Sequence, residues 1–255
     1  MEQFIKNLAR GAGAILRDGF RRKFKVKIKS AFYDLVTEYD LLSDKYITER
    51  IAKKYPTHGI LSEESGHNGK RKNLWVIDPM DGTHAFAHGV PQFAVSIAFV
   101  SNDILKYAAV YDPMQDELFY AAKGKGAFVN GKRTSVNIAE KLNFATVATY
   151  IRVGGTAVDG SKKRRRIYNR VVINNEMWSD KTSSPALGGA YVGAGRFDLF
   201  ISTDLNPWDY SAAALIMREG GAKISEIDGK PYRWNSPTLF GGNPILHGLA
   251  LKALK

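Results

Sequence analysis

Trp75-Val76-Ile77-Asp78-Pro79-Met80-Asp81-Gly82-Thr83-His84-Ala85-Phe86, WVIDPMDGTHAF at 75–86, runs from an apolar triplet straight into two aspartates three positions apart, and then into Gly-Thr. The triplet predicts a buried strand, and Asp81-Gly82-Thr83 after the proline predicts the opening of a helix. Both carboxylates therefore fall at the carboxyl end of a strand. Taken alone, the pattern is explained equally by Asp78 as a turn residue with Asp81 as a helix N-cap, or by a functional pair of acids.

Upstream, Phe4, Ile5, Leu8, Ala12, Ile15 and Leu16 recur at helical spacing, and Leu42, Tyr46, Ile47 and Ile51 repeat it in a segment opened by Asp40. Downstream, Phe93 to Val100, Leu105 to Tyr111 and Glu117 to Ala121 are strand-like runs separated by turn-rich SND and DPMQD, which predicts an antiparallel meander. Asn130-Gly131 is the pair a two-residue hairpin turn favours, because both positions accept positive φ. From Thr146 onward sheet and helix alternate. A strand at Thr146 to Tyr150 leads into a basic helix, ALGGAYVGAGRFDLFIS reads as a small-residue helix running into a strand, and a helix apolar at Ala212, Leu215 and Ile216 ends at Gly220-Gly221 before another strand. The chain thus divides into an N-terminal α+β lobe with an antiparallel sheet, 1–140, and a C-terminal α/β lobe, 141–255, together making one domain.

At 255 residues the chain is long for a single core, and 44% hydrophobic content makes it globular, with no linker, repeat or low-complexity block. The absence of cysteine excludes disulfides and thiolate metal sites, so any metal is held by oxygen or histidine, which favours hard cations. The amino terminus is interrupted by charges and has neither a signal peptide's apolar region nor a span of about 20 apolar residues, so the expected location is cytoplasmic, with no membrane partner. A formal charge of +12 suits nucleic acid, or the concentration of small anionic substrates by long-range steering. The run Lys162-Lys163-Arg164-Arg165-Arg166 leads into IYNRVV without an aromatic-rich stacking pattern, and reads either as a solvated helix face or as an anion or nucleic-acid patch.

Further acids bear on the aspartate pair. Glu63-Glu64, in ILSEES, follows another apolar pair, and Asp209, in NPWDYSAA, stands at the start of a helix beside Trp208. Clustered without Lys or Arg partners, such carboxylates repel one another and raise each other's pKa unless divalent cations neutralise them. Carboxylates with a backbone carbonyl are a ligand set that Mg²⁺ accepts, and two ions about 3.5–4 Å apart clamp both oxygens of a phosphoryl displacement. The helix opening at Gly82-Thr83 adds N–H groups aimed at an anion.

WVIDPMDGTHAF resembles the first signature of the inositol monophosphatase family, W-x-I-D-P-[ILM]-D-G-T-x-N-F, and NPWDYSAAALIMREGGAKIS resembles its second, W-D-x-[AS]-A-x-x-x-[LIVM]-x-x-x-G-G. DLVTEYD at 34–40, ILSEES and GAYVGAGRFDLF match the family in order and spacing, so the resemblance covers essentially the whole chain. It implies a five-layer α-β-α-β-α sandwich of α+β class and the sugar phosphatase type. It also implies a site for two or three Mg²⁺ ions, with Mn²⁺ as a substitute, made by Glu63, Asp78 as bridge, the Met80 carbonyl, Asp81 and Asp209. The family's water-activating pair falls on Thr83 and Asp40, with Glu63 also in the catalytic set. Substrate phosphate falls on Gly82 and Thr83, with Asp81 and Asp209 beside it. Lys29 occupies the position of a lysine near the family's metals, and Glu64 stands behind Glu63. A homodimer is the oligomer the family suggests.

Three departures concern the substrate. Ala85 replaces the usual Asn after D-G-T-x and removes a polar group beside the site, which bears on metal affinity. SSPALGG at 183–189 replaces the commoner G-S-A-A-L, and Ser202 falls where animal inositol monophosphatases place a substrate-contacting Glu. His84 reads as a structural residue or as a contact to substrate phosphate. The expected activity is in-line hydrolysis of a small phosphorylated polyol or sugar, inositol 1-phosphate first. Fructose 1,6-bisphosphate and 3′(2′),5′-bisphosphate nucleotides are the alternatives, and the short interval from Ser65 to Leu74 argues against the nucleotidase branch. A nucleic-acid or protein-binding role is the competing class.

Overall fold

The computed structural model describes residues 1–29, 35–151, 158–180, 182–203 and 206–254; Asp34, the first residue of DLVTEYD, lies outside them. The chain opens with helix α1 (Glu2–Phe20), a short ribbon of β1 (Val26–Ile28) and β2 (Leu35–Thr37), and helix α2 (Glu38–Lys54). Strands β3 (Gly59–Ser62), β4 (Gly66–Asn68) and β5 (Asn73–Asp81) follow, then the short α3 (Thr83–Ala87). The meander comes next as β6 (Ala94–Ser101), β7 (Ile104–Asp112), β8 (Glu117–Ala122), β9 (Gly126–Val129) and β10 (Lys132–Thr134). These strands form an eight-stranded sheet in the order β10-β9-β8-β7-β6-β5-β3-β4, antiparallel apart from the β3–β5 pair. Asn130 and Gly131 take φ of 47° and 82° between β9 and β10, as the expected hairpin turn requires.

The second half contributes β11 (Thr146–Ile151), α4 (Val158–Val171), β12 (Trp178–Asp180), α5 (Pro185–Gly193), β13 (Leu199–Thr203), α6 (Pro207–Glu219), β14 (Lys223–Ser225), β15 (Thr238–Gly242) and α7 (Pro244–Leu254). Its five strands order as β12-β11-β13-β15-β14, with β11 parallel to both neighbours and β15 antiparallel to its own.

Alternation along the strands builds the layers. Trp75, Ile77, Val95 and Ile97 face α1 and α2, while Leu74, Val76, Ala94 and Ala98 face α5 and α6. On the smaller sheet Phe200 joins this middle layer, whereas Val147, Leu199 and Ile201 pack with Ile167, Val171 and Leu246 of α4 and α7. The result is an α-β-α-β-α sandwich in which both sheets are covered on both faces, so the strands read as near-continuous apolar runs. Each fully buried Ile in these rows contributes on the order of 1.5–3 kcal/mol. Small residues let the middle helices meet closely: a Cβ on Gly193 of α5 would come within 2.9 Å of the Ile216 backbone in α6.

Helix α2 departs from the expected pattern in two respects. It begins at Glu38, capped by Thr37, and Asp40 is its third residue rather than its opener. Leu42, expected on the apolar face, is 47% exposed, while Asp40, Ser43 and Asp44 are buried above Ile47 and Ile51. The buried stripe turns polar where the helix passes the carboxyl end of β5.

Candidate active site

The acids meet at a cleft of about 370 Å³. Lys29, Glu63, Asp78, Met80, Asp81, Gly82, Thr83 and His84 line it from the first half of the chain, and Tyr150, Ser183, Asn206, Trp208 and Asp209 from the second. Carboxylate oxygens of Glu63, Asp78 and Asp209 lie within 4.8 Å of one another, a span that one oxygen-liganded divalent ion bridges.

The local chain explains how the signature presents its groups. The β5–β6 register shifts between Asp78 and Asp81, and this irregularity turns the two carboxylates into the cleft. The Met80 amide donates to Asp78 Oδ1 at 3.0 Å, and the Ser43 hydroxyl donates to the Pro79 carbonyl at 2.8 Å. Gly82 then takes φ 102°, ψ 30°, and a Cβ there would sit 2.8 Å from the Gln92 carbonyl oxygen, so glycine is required on both counts.

Other acids sit at helix starts. Asp40 closes a capping box with Thr37, whose amide and hydroxyl donate to Asp40 Oδ2 at 2.7 and 2.6 Å. Asp209 does the same for α6, accepting from the Asn206 amide at 2.8 Å. Asp81 reaches the first turn of α5, where its Oδ2 accepts from the Ser184 hydroxyl at 2.5 Å and the Ala186 amide at 2.6 Å. The positive ends of α2, α5 and α6 therefore converge on the acids. Thr83 Oγ1 lies 2.8 Å from Asp40 Oδ1 and 3.0 Å from the Met80 carbonyl. With one proton to give, the hydroxyl donates to the carboxylate, the stronger acceptor, and the Met80 oxygen stays available for a cation.

The electrostatics are those of a site short of positive charge. Burial, reinforced by the facing carboxylates, lifts the pKa of Asp78 and Asp81 well above the usual carboxylate range. Burial likewise raises Asp40 to about 6 and Glu64 to about 7. Lys29, which the family resemblance places near the metals, does reach the cluster and is the cationic partner that the charge argument left out. Lys29 Nζ lies 3.1 Å from Glu63 Oε1 and 2.5 Å from Glu64 Oε1. Burial opposes its charge, but the two glutamates outweigh that and hold its pKa above the ordinary lysine value. Glu64 is the more buried acid of its pair and points to Lys29 rather than joining the trio.

The donor set fits a hard divalent cation: carboxylates and a carbonyl, mutually repelling and partly desolvated, around an open cleft. Sequence reading missed Ser184, because SSPALGG looked like a departure; Ser184 is the N-cap of α5 and the hydroxyl that holds Asp81. It missed Ser43 and Asp44 because the apolar spacing drew the helix face elsewhere. Ser202 is buried in β13 with its hydroxyl 3.4 Å from the Tyr150 carbonyl and is absent from the cleft lining. Ala85 is buried in α3 and brings no polar side chain, while His84 lines the cleft and stacks on His88 at 4.2 Å. Lys162, Lys163, Arg165 and Arg166 lie exposed on α4, outside the cleft.

A five-layer sandwich that gathers carboxylates at strand and helix ends around one cleft, together with the family match, defines a hydrolase of phosphate esters. The chain belongs to the inositol monophosphatase family, which it matches over residues 1–255. It is 35% identical over 253 residues to a fructose-1,6-bisphosphatase/inositol-1-monophosphatase of Thermotoga maritima, spanning 98% of this chain and 94% of that one. A protein of Pseudomonas aeruginosa named Nus factor SuhB is 35% identical over 240 residues, covering 92% of this chain and 88% of its own. Among solved structures, the extragenic suppressor protein SuhB of Bartonella henselae superimposes with a TM-score of 0.91 at 31% identity, covering 99% of this chain and 97% of that one. Family membership makes the protein a phosphatase. Among the described residues, no helix is long and apolar enough to cross a membrane.

Proposed function

We propose that the protein is a Mg²⁺-dependent phosphomonoesterase acting on small phosphorylated polyols or sugars, with inositol 1-phosphate as the first substrate. The observation that carries this reading is the meeting of Glu63, Asp78 and Asp209 within 4.8 Å beside the Thr83–Asp40 hydrogen bond. Glu63, Asp78, the Met80 carbonyl, Asp81 and Asp209 would hold two or three ions, with Asp78 shared. When bound, the ions supply Lewis acidity at the phosphoryl oxygens and acidify water. Thr83 Oγ1, its own proton directed to Asp40, presents a lone pair to the nucleophilic water and takes its proton as Asp40 takes the hydroxyl's. Asp40, with a pKa of about 6, is mostly ionised at neutral pH and able to accept that proton. The amides of Gly82 and Thr83 receive the phosphate. Trp208, Tyr150 and His84 line the space left for the alcohol.

The same reading takes residues 1–140 and 141–255 as two lobes that close on the cleft, in a cytoplasmic homodimer. The Thermotoga relative's name favours fructose 1,6-bisphosphate as the second substrate to test. The exposed cations of α4 favour a separate reading, binding of nucleic acid.

The deciding experiment is a phosphate-release panel over inositol 1-phosphate, fructose 1,6-bisphosphate and 3′-phosphoadenosine 5′-phosphate. Turnover is expected with Mg²⁺ or Mn²⁺, little with Ca²⁺, inhibition by Li⁺, and reversible loss in EDTA. Full activity in EDTA would refute the metal reading. RNA binding with a steep salt dependence and no turnover of any ester would replace it with the nucleic-acid reading.

A further inference from the structure

Asp40, Ser43 and Asp44 lie at i, i+3 and i+4 of α2, and so share one helix face. All three are buried, at 1%, 0% and 7% exposure, and the same face continues as Ile47 and Ile51. Burying such groups is costly unless each is bonded, and leucine would serve the packing better. Each is bonded to a different segment of the site. Asp40 holds Thr83, and Ser43 donates to the Pro79 carbonyl at 2.8 Å. Asp44 Oδ1 accepts from Ser62 at 2.5 Å and Ser65 at 3.2 Å, the two serines that bracket Glu63 and Glu64.

We infer that Ser43 and Asp44 are positioning residues for the metal ligands, Asp44 by clamping both flanks of the Glu63-Glu64 turn and Ser43 by fixing the Pro79–Met80 peptide that leads into the Met80 carbonyl. The geometry behind the second half is simple. The Met80 carbonyl lies 3.0 Å from Thr83 Oγ1 at the cleft, and the Pro79 carbonyl one residue before it is held by Ser43, so the Ser43 bond fixes the peptide plane adjoining the one that carries the Met80 oxygen. A single helix face thus sets the register of the ligand loops at β3 and β5. The inference rests on the metal-dependent phosphatase reading and concerns residues outside the ligand set itself.

The test is calorimetric titration of Mn²⁺ into the metal-free protein, with circular dichroism and Tm measured on each variant. Asp44→Ala is expected to weaken Mn²⁺ binding roughly 10- to 100-fold, the usual consequence of losing a group that orients a ligand. Asp44→Asn keeps an oxygen acceptor for both serines and should stay within about threefold of the parent. Ser43→Ala is expected to weaken binding about tenfold, and Ser65→Ala serves in place of Asp44→Ala if the latter does not fold. At saturating metal, kcat should return to near the parent value, a split that general destabilisation would not produce. Folded Asp44→Ala and Ser43→Ala, or Ser65→Ala standing in, that bind Mn²⁺ as tightly as the parent would overturn the inference. A parent that binds no Mn²⁺ would instead refute the metal reading beneath it.

Discussion

Thr83→Ala separates the chemistry of the site from its packing. The substitution removes one of the three hydrogen bonds that reach Asp40, the 2.8 Å contact to Oδ1, and leaves the two from Thr37. A hydrogen bond to a charged group is worth about 1.5–3 kcal/mol, so the metal-free variant should be less stable by that amount when Asp40 is ionised. The pH dependence follows from the raised pKa. Asp40 titrates near 6 in the folded chain against about 3.9 when unfolded, so its protonated form favours folding. That contribution, about 3 kcal/mol, is fully present below pH ~4 and is lost as pH rises through ~6. Removing the Thr83 donor raises the folded pKa further. The loss is then larger at pH 8, while parent and variant converge in acid. Urea unfolding of both proteins without metal at pH 8 and pH 5 reads this difference. With Mg²⁺, kcat should fall about 100-fold or more, because the water loses its orienting acceptor, while KM stays within about threefold. A kcat within about threefold of the parent, or a stability difference independent of pH, would refute the assignment of Thr83 and Asp40.

Asp78→Asn should lower Mg²⁺-dependent activity by about 100-fold or more, and should at the same time raise the Tm of the metal-free protein, because it removes a buried carboxyl that burial and the facing Glu63, Asp81 and Asp209 make costly to ionise. A lower metal-free Tm with activity kept would show that Asp78 is structural. Gly82→Ala places a side chain at φ 102° against the Gln92 carbonyl and should cost roughly 1–3 kcal/mol in urea unfolding, with a fall in kcat as Thr83 shifts. A variant neutral in both measurements would mean that the turn does not position Thr83.

Much of this architecture was legible because the apolar runs are long. The meander from Phe93 to Ala121 and the NG hairpin follow directly from period and turn chemistry, since β6 to β8 are bounded by turns and covered on both faces. Helix α2 was legible only in its second half. Where its buried face carries Asp40, Ser43 and Asp44, hydrophobic spacing reports the wrong side, and Leu42 stands in solvent. Ser184 was hidden for a related reason: its partner Asp81 is 103 residues away in sequence, and no local pattern reports a hydroxyl that caps one helix while holding a carboxylate from another strand. Lys29 escaped the charge argument because its partners lie 34 and 35 residues along the chain.

The capping expectation raised by Asp78 and Asp81 is corrected by the structure: Gly82, not Asp81, is the N-cap of α3, and Asp81 reaches instead to the first turn of α5. Asp81 gives one oxygen to Ser184 and the Ala186 amide, Asp209 gives one to the Asn206 amide, and Asp78 gives one to the Met80 amide, yet all three still line the cleft. Asp40 follows the same scheme, with Oδ2 on Thr37 and Oδ1 on Thr83. A carboxylate has two oxygens with about four lone-pair sites, so a cap uses only part of its capacity. The backbone amides at each cap fix the rotamer and offset part of the cost of burying the charge. The remaining repulsion among the carboxylates is what a divalent ion would relieve, so under the proposed function the arrangement that burdens the metal-free fold would also give an ion its affinity. This is why an aspartate at a strand end or helix start in this chain reads as ordinary turn or capping chemistry until Asp78, Asp81 and Asp209 are seen lining one cleft, with Asp40 behind Thr83.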